Sequence, residues 1–217
     1  GLMARESPEA GSAMAAVGDV SLADLKQKLA AKLGSWQSGG SAATPPPLPS
    51  PLSKSVVRAI QRGVTQANIN LGHLGITRDN PDYYPIQVMN YILSGSDNSY
   101  LVSVIRGEKG WAYDVGSDFS ASKYAGEFAV SMQTKNEVAD QAIEAALAQI
   151  RRIRDQAVSD QDLKDAKAFL TGSFPLRLDT SSKIANWLAA IAPPYVIDIN
   201  EIPDLSPLAI AGLVLIA

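Results

Sequence analysis

Apolar and polar positions along the chain fall into short blocks with two periods, one near two residues and one near three and a half. Residues 13–20, Ala-Met-Ala-Ala-Val-Gly-Asp-Val, form an apolar run closed off by Gly18 and Asp19, which predicts a buried strand. Ser21 and Asp24 then give an S-x-x-D capping box. Leu22, Leu25, Leu29 and Leu33 follow at helical spacing until Gly34, so a β-α unit ends near Trp36. From Gln37 to Pro51 the periodicity is lost. A Ser-Gly-Gly-Ser stretch and then Pro45-Pro46-Pro47, Pro49 and Pro51 predict a linker.

Residues 66–71 alternate Gln66, Asn68 and Asn70 with Ala67, Ile69 and Leu71, the period of a strand with one buried face. A helix follows, capped by Asn80 or Asp82, with Tyr84, Val88, Tyr91 and Ile92 as its apolar stripe and Met89 beside it. A second helix is predicted from about Ser99 to Ile105, with Leu101, Val104 and Ile105 inward, broken by Gly107 and Gly110. Strands over 112–121 and 126–134, separated by residues 122–125, predict an antiparallel hairpin. Tyr113, Val115, Ser117 and Phe119 share one face of its first strand; Phe128, Val130 and Met132 share one face of its second.

Asn136 is placed to cap a long helix through Ala139, Ile143, Ala146, Ile150 and Ile153, with Arg151, Arg152 and Arg154 in the last turn. Ser159 and Asp162 open another helix with Leu163, Ala166 and Leu170 inward, and Gly172 closes that stretch. A last helix runs from about Ser181 to Ile191, with Ile184, Leu188 and Ile191 aligned, before Pro193-Pro194. Few strands, mostly antiparallel, with helices gathered after them predict an α+β fold: an antiparallel sheet covered by helices.

Composition narrows the partners. A chain of 217 residues, 46% hydrophobic and 19% charged, has globular usage. A net charge of −3 provides no positive field to collect phosphates, so nucleic acid is not an expected partner. No apolar run reaches the roughly 20 residues of a membrane span. The longest, Leu208 to Ala217, reads as an edge of the fold truncated by the chain end. The opening Gly-Leu-Met lacks the pattern of a signal peptide and reads as a cut end. Without cysteine the compartment stays open; for a bacterial source the periplasm is favoured over the cytoplasm.

One histidine, His73, and no cysteine leave this chain without the three or four ligands of a typical zinc site, so His73 reads as a satisfied or surface residue and no metal is expected here. The basic group Arg151, Arg152 and Arg154 complements the helix dipole on a solvated face, and Asp162 and Asp165 read as cap and surface. Arg106 and Tyr113 stand apart, joined by the glycine-flanked loop Gly107-Glu108-Lys109-Gly110-Trp111 at one end of the sheet. A guanidinium fork and a phenol O–H suit a carbonyl that gains negative charge. From spacing alone the plainer reading, a surface Arg and a core Tyr beside Val115, is favoured.

An ordered series of landmarks shifts that balance: residues 66–72 (Gln-Ala-Asn-Ile-Asn-Leu-Gly), 81–84 (Pro-Asp-Tyr-Tyr), 88–93 (Val-Met-Asn-Tyr-Ile-Leu), 105–113 (Ile-Arg-Gly-Glu-Lys-Gly-Trp-Ala-Tyr) and 172–180 (Gly-Ser-Phe-Pro-Leu-Arg-Leu-Asp-Thr). Together with Val158-Ser159, Asp162-Leu163 and Ala166-Lys167, this series resembles the C-terminal, non-zinc-binding half-module of the pitrilysin/insulinase zinc peptidases. Residues 16–36 resemble the last β-α unit of the preceding half. The resemblance departs at residues 94–101, where the family has more glycine and an Arg at the position of Tyr100, and at Gly107, where Glu is frequent.

The resemblance implies a half-domain of the mitochondrial-processing-peptidase type, divided as 1–36 (last β-α unit of the preceding half), 37–55 (linker), 56–195 (C-terminal peptidase-like domain) and 196–217 (unassigned). It implies that zinc and its H-x-x-E-H motif belong to another half, in the same polypeptide or on a partner subunit, and that the two halves enclose a chamber for peptides or unfolded segments. Arg106 and Tyr113 match the family's substrate-contacting pair. By itself this chain is then an inactive, substrate-binding part of a metalloendopeptidase. The alternative is a structural or interaction subunit of the same family without proteolysis.

Overall fold

The computed structural model describes residues 2–7, 11–35, 47, 50, 53–58, 60, 63–122, 126–191, 197–198 and 213–216. Most of the 37–55 linker, the hairpin tip at 123–125, Pro193-Pro194 and most of 196–217 lie outside the described residues. The chain forms two compact units, residues 1–45 with 172–217 and residues 46–171.

The first unit is a four-stranded sheet in the order β1 (Leu2–Ser7), β2 (Gly11–Val17), β7 (Leu213–Ile216), β6 (Ile197–Asp198). Every neighbouring pair is antiparallel. The run read as an edge of the fold therefore supplies β7, which lies between two strands, as an uninterrupted apolar segment suits. β1 has no signal in the sequence, because Leu-Met-Ala-Arg-Glu-Ser does not alternate; pairing with β2 makes it a strand. Helix α1 (Leu22–Leu33) is capped as expected, Ser21 Oγ accepting from the Asp24 N–H at 3.1 Å. Leu25 buries against Ala16, with Val20, Leu22 and Leu29 around them. Helix α5 (Ser181–Ile191) packs on β1 and β2 and buries Ala185 and Leu188.

The second unit holds the three-stranded antiparallel sheet β3 (Gln66–Leu74), β5 (Glu127–Lys135), β4 (Ala112–Ser120), with β5 central. Its strands β4 and β5 are the expected hairpin. One face is polar: Ser131 Oγ donates to Asn70 Oδ1 at 2.6 Å and Gln133 Nε2 to Gln66 Oε1 at 2.9 Å. On the other, Phe128, Val130, Met132 and Val115 meet Ile92, Leu93, Leu101, Ile105, Ala142, Ala146 and Ala166 from the helices. These residues come from α2 (Tyr83–Ser94), the helical segment from Tyr100 to Glu108, α3 (Ala139–Asp155) and α4 (Asp160–Ser173), the last of which runs beyond this unit at its C-terminal end.

Three local expectations are corrected. Tyr84 is 69% exposed, so the inner stripe of α2 consists of Val88, Met89, Tyr91, Ile92 and Leu93. Asn136 does not cap α3. It opens a 3-10 turn, Asn136–Val138, and its Nδ2 donates to the Val64 carbonyl at 2.9 Å. The expected helix over 99–105 runs from Tyr100 to Glu108 and is a π-helix from Val102 onward; Val102 is buried with Leu101 and Ile105, while Val104, expected inward, is only half-buried.

Helix α2 also closes the outer edge of β4. Ser117 N–H donates to Ser94 Oγ at 2.7 Å, Asn90 Nδ2 donates to the Ser117 carbonyl at 3.2 Å, and Gln87 Nε2 donates to the Phe119 carbonyl at 3.0 Å. Backbone groups that a further strand would pair with are thus bound by side chains.

Candidate functional site

Arg106 stands in the last turn of the π-helix, where the chain makes bonds longer than the α pattern: Lys109 N–H to the Val104 carbonyl at 3.0 Å and Trp111 N–H to the Ile105 carbonyl at 3.0 Å. Gly110 turns the chain with a φ of 61°, a left-handed conformation that costs a side-chain-bearing residue about 1–2 kcal/mol. The Trp111 carbonyl is then held by Thr134 Oγ1 at 2.6 Å, on a threonine that is itself buried. Arg106 and Tyr113 are joined by a short segment fixed at both ends.

Tyr113 is not a core residue. Ala112 pairs with Thr134 and Val115 with Met132, so Tyr113 and Asp114 together oppose Gln133, a β-bulge. The extra residue returns Val115 to the core face and leaves Tyr113 91% exposed. The expected common face of Tyr113, Val115, Ser117 and Phe119 begins only at Val115. A strict period of two cannot register an inserted residue; the signal in the sequence is that Ala112 and Val115, three apart, are the apolar positions flanking Asp114.

The structure brings the two residues together. The Arg106 Cζ lies 6.0 Å from the centroid of the Tyr113 ring, within reach of a weak cation–π attraction. Arg106 Nη1 also donates to Asp97 Oδ1 at 3.3 Å, with the two side chains 49% and 85% exposed. Pairs this open to water contribute about 0–1 kcal/mol. The guanidinium retains donors beyond that one, and the Tyr113 phenol faces solvent, so a group arriving here can accept from both.

A second polar cluster lies at the other end of the helical segment. Arg152 Cζ sits 3.8 Å above the ring of Tyr100, which is only 7% exposed, and the Tyr100 hydroxyl donates to Asp162 Oδ2 at 3.3 Å. Burial, then the Asp162 carboxylate, push the Tyr100 phenol above its ordinary pKa, opposed by Arg152. Arg152 is therefore more than a solvated last-turn cation, a role that local spacing does not signal because its partner lies on another element. Arg154 has a local role, a bidentate pair with Asp155 at 2.6 and 2.8 Å that holds the Asp155 carboxyl below the usual range. Asp162 keeps half of its capping box: its N–H donates to Ser159 Oγ at 3.0 Å while its carboxylate turns to Tyr100.

His73 is exposed on β3, its Nδ1 2.7 Å from the Leu74 carbonyl and its ring 5.3 Å from that of Phe128. Among the described residues no three His, Asp or Glu side chains converge as a metal site would require. Among the same residues no helix is long and apolar enough to cross a membrane.

The sequence model of the peptidase M16 inactive domain matches residues 10–170. The chain belongs to this family. As an M16 inactive domain it is similar to the Helicobacter pylori protein named non-peptidase homolog YmxG, 33% identical over 100 residues, which cover 46% of this chain and 23% of that protein. It is 28% identical over 121 residues to the Bacillus subtilis protein named uncharacterized zinc protease YmxG, covering 55% of this chain and 30% of that one. Among solved structures, a peptidase M16 inactive domain from Pseudomonas fluorescens superposes with a TM-score of 0.69 at 27% identity, over 80% of this chain and 40% of that one. The match thus spans under a third of each of these curated relatives. The α+β fold and the assignment to the inactive half-domain follow from the family.

Proposed function

We propose that this M16 inactive domain is the substrate-gripping half of a zinc endopeptidase, with Arg106 and Tyr113 as donors to a carbonyl of a bound peptide. The observation that carries this reading is Tyr113 itself: a 91% exposed aromatic ring, turned outward by a bulge and set beside a guanidinium. An exposed tyrosine forgoes the roughly 1.5–3 kcal/mol that burying a large side chain contributes, so core packing does not account for its placement. A carbonyl held by both residues would gain donors as negative charge builds on its oxygen.

The residues of this chain do not fit zinc, since it has one histidine and no cysteine. In this reading the metal and the general base come from an H-x-x-E-H motif in a metal-bearing half, and the two halves enclose the peptide. The second reading, a structural subunit without proteolysis, is favoured by the printed name of the Helicobacter pylori relative, a non-peptidase homolog.

Steady-state peptide hydrolysis by the full polypeptide, assembled with its metal-bearing half, separates the two. Arg106→Ala and Tyr113→Phe should each slow turnover by roughly 10²–10³, the cost of losing one such donor. Unchanged turnover in both variants would remove Arg106 and Tyr113 from the site. A zinc-loaded wild type that cleaves no peptide would establish the structural reading instead.

A further inference from the structure

Arg106 does not meet an incoming group as a bare cation. Asp97 reaches its Nη1 at 3.3 Å from the loop between α2 and the helical segment that carries Arg106. That loop is tied on both sides of the carboxylate. Gly95 N–H donates to the Tyr91 carbonyl at 2.6 Å on one side, and Ser99, 4% exposed, donates from Oγ to the Ser96 carbonyl at 2.5 Å on the other. Asp97 is thus presented from anchored backbone although its side chain is in water.

An ion pair at one nitrogen has two effects on a guanidinium. It removes rotational freedom from the planar fork, which then offers its remaining donors in one direction. It also sets a negative charge beside the fork, which lowers the positive potential that an incoming group meets there. A neutral peptide carbonyl needs only the donors. A terminal carboxylate carries a full negative charge and must approach Asp97, which repels it.

We propose that Asp97 is the positioning and specificity-determining residue of this site: it orients Arg106 beside Tyr113 and selects internal peptide carbonyls over free C-terminal carboxylates. This rests on the reading of Arg106 and Tyr113 as a carbonyl grip.

The test is fluorescence anisotropy on the full-length protein with a labelled, unstructured decapeptide of Gly, Ser and Leu, made with either a C-terminal amide or a free carboxylate. Wild type should bind the amide form more tightly, by roughly two- to fivefold, the scale of an exposed charge pair. Asp97→Asn should abolish or reverse that ratio. Asp97→Glu should retain it, and salt should reduce it. Arg106→Ala should weaken both peptides.

A ratio unchanged in Asp97→Asn, with Arg106→Ala still weakening both peptides, would overturn the role of Asp97 and leave the carbonyl grip standing. If neither Arg106→Ala nor Tyr113→Phe alters binding, or neither peptide binds, the grip and the role of Asp97 fall together. A loss of ratio in Asp97→Glu equal to that in Asp97→Asn would also overturn the proposal, because charge would then not be its cause. Thermal melts of each variant accompany the titrations, and with Asp97 85% exposed they should coincide with wild type.

Discussion

The guanidinium of Arg152 lies 3.8 Å from the centre of the Tyr100 ring, and Tyr100 begins the helical segment that carries Arg106 in its last turn. Buried in the unit core and bonded to Asp162, Tyr100 ties the base of that segment to α3 and α4, while the other end stays open to solvent with Arg106. Anchorage and exposure are thus separated along two turns of one element.

Tyr100 should titrate late. Burial and the neighbouring carboxylate raise its folded-state pKa above the unfolded value of about 10. A group with a raised folded pKa contributes stability in full below its unfolded pKa and loses it as pH rises through the folded value. Denaturant midpoints of wild type should therefore fall above pH 10, and Tyr100→Phe should flatten that fall while costing about 0.5–1.5 kcal/mol at neutral pH for the lost hydrogen bond. An identical alkaline profile in the variant would show that the tyrosine is not the group involved.

Gly110→Ala should destabilise by about 1–2 kcal/mol, because the left-handed φ of 61° strains any Cβ. No atom lies within 4 Å of where that Cβ would stand, so the cost is backbone strain alone. Gly116→Ala is the control, also in open space but without the positive φ. Equal melting temperatures for the two variants would contradict this account.

Leu101→Ala should cost about 2–5 kcal/mol, since its side chain is fully buried among α2, α3 and β-sheet residues and leaves a cavity when shortened. Tyr113→Ala should stay within about 0.5 kcal/mol of wild type, as surface substitutions do. Urea unfolding of both variants checks the contrast. A comparable loss in Tyr113→Ala would return Tyr113 to packing and deprive the proposed grip of its main support.

What was legible in the sequence was local. Ser21 with Asp24 and Ser159 with Asp162 mark their helices through bonds that span three residues, so spacing alone carries the signal. The alternation of Ala67, Ile69 and Leu71 with asparagines likewise names the buried face of β3. What was hidden depends on partners far along the chain. β1 exists because β2 pairs with it, and Arg152 finds Tyr100 across a separation of 52 positions that no periodicity records. Arg106 and Tyr113 fell between these cases. Their proximity could be read from a short glycine-bounded loop, but the outward turn of Tyr113 needed a bulge whose extra residue defeats the period used to look for it.

The side chains of Gln87, Asn90 and Ser94 along β4 have an effect on more than one molecule. A three-stranded sheet has two borders at which a stray extended chain could be templated. Here one border is sealed from Ser117 to Phe119 by groups that would have to be pulled away, along with the apolar packing of α2, before an intruder could bond. Along Ser117 to Phe119, then, edge-to-edge growth of the sheet on the β4 side would first have to break this helix–strand seam.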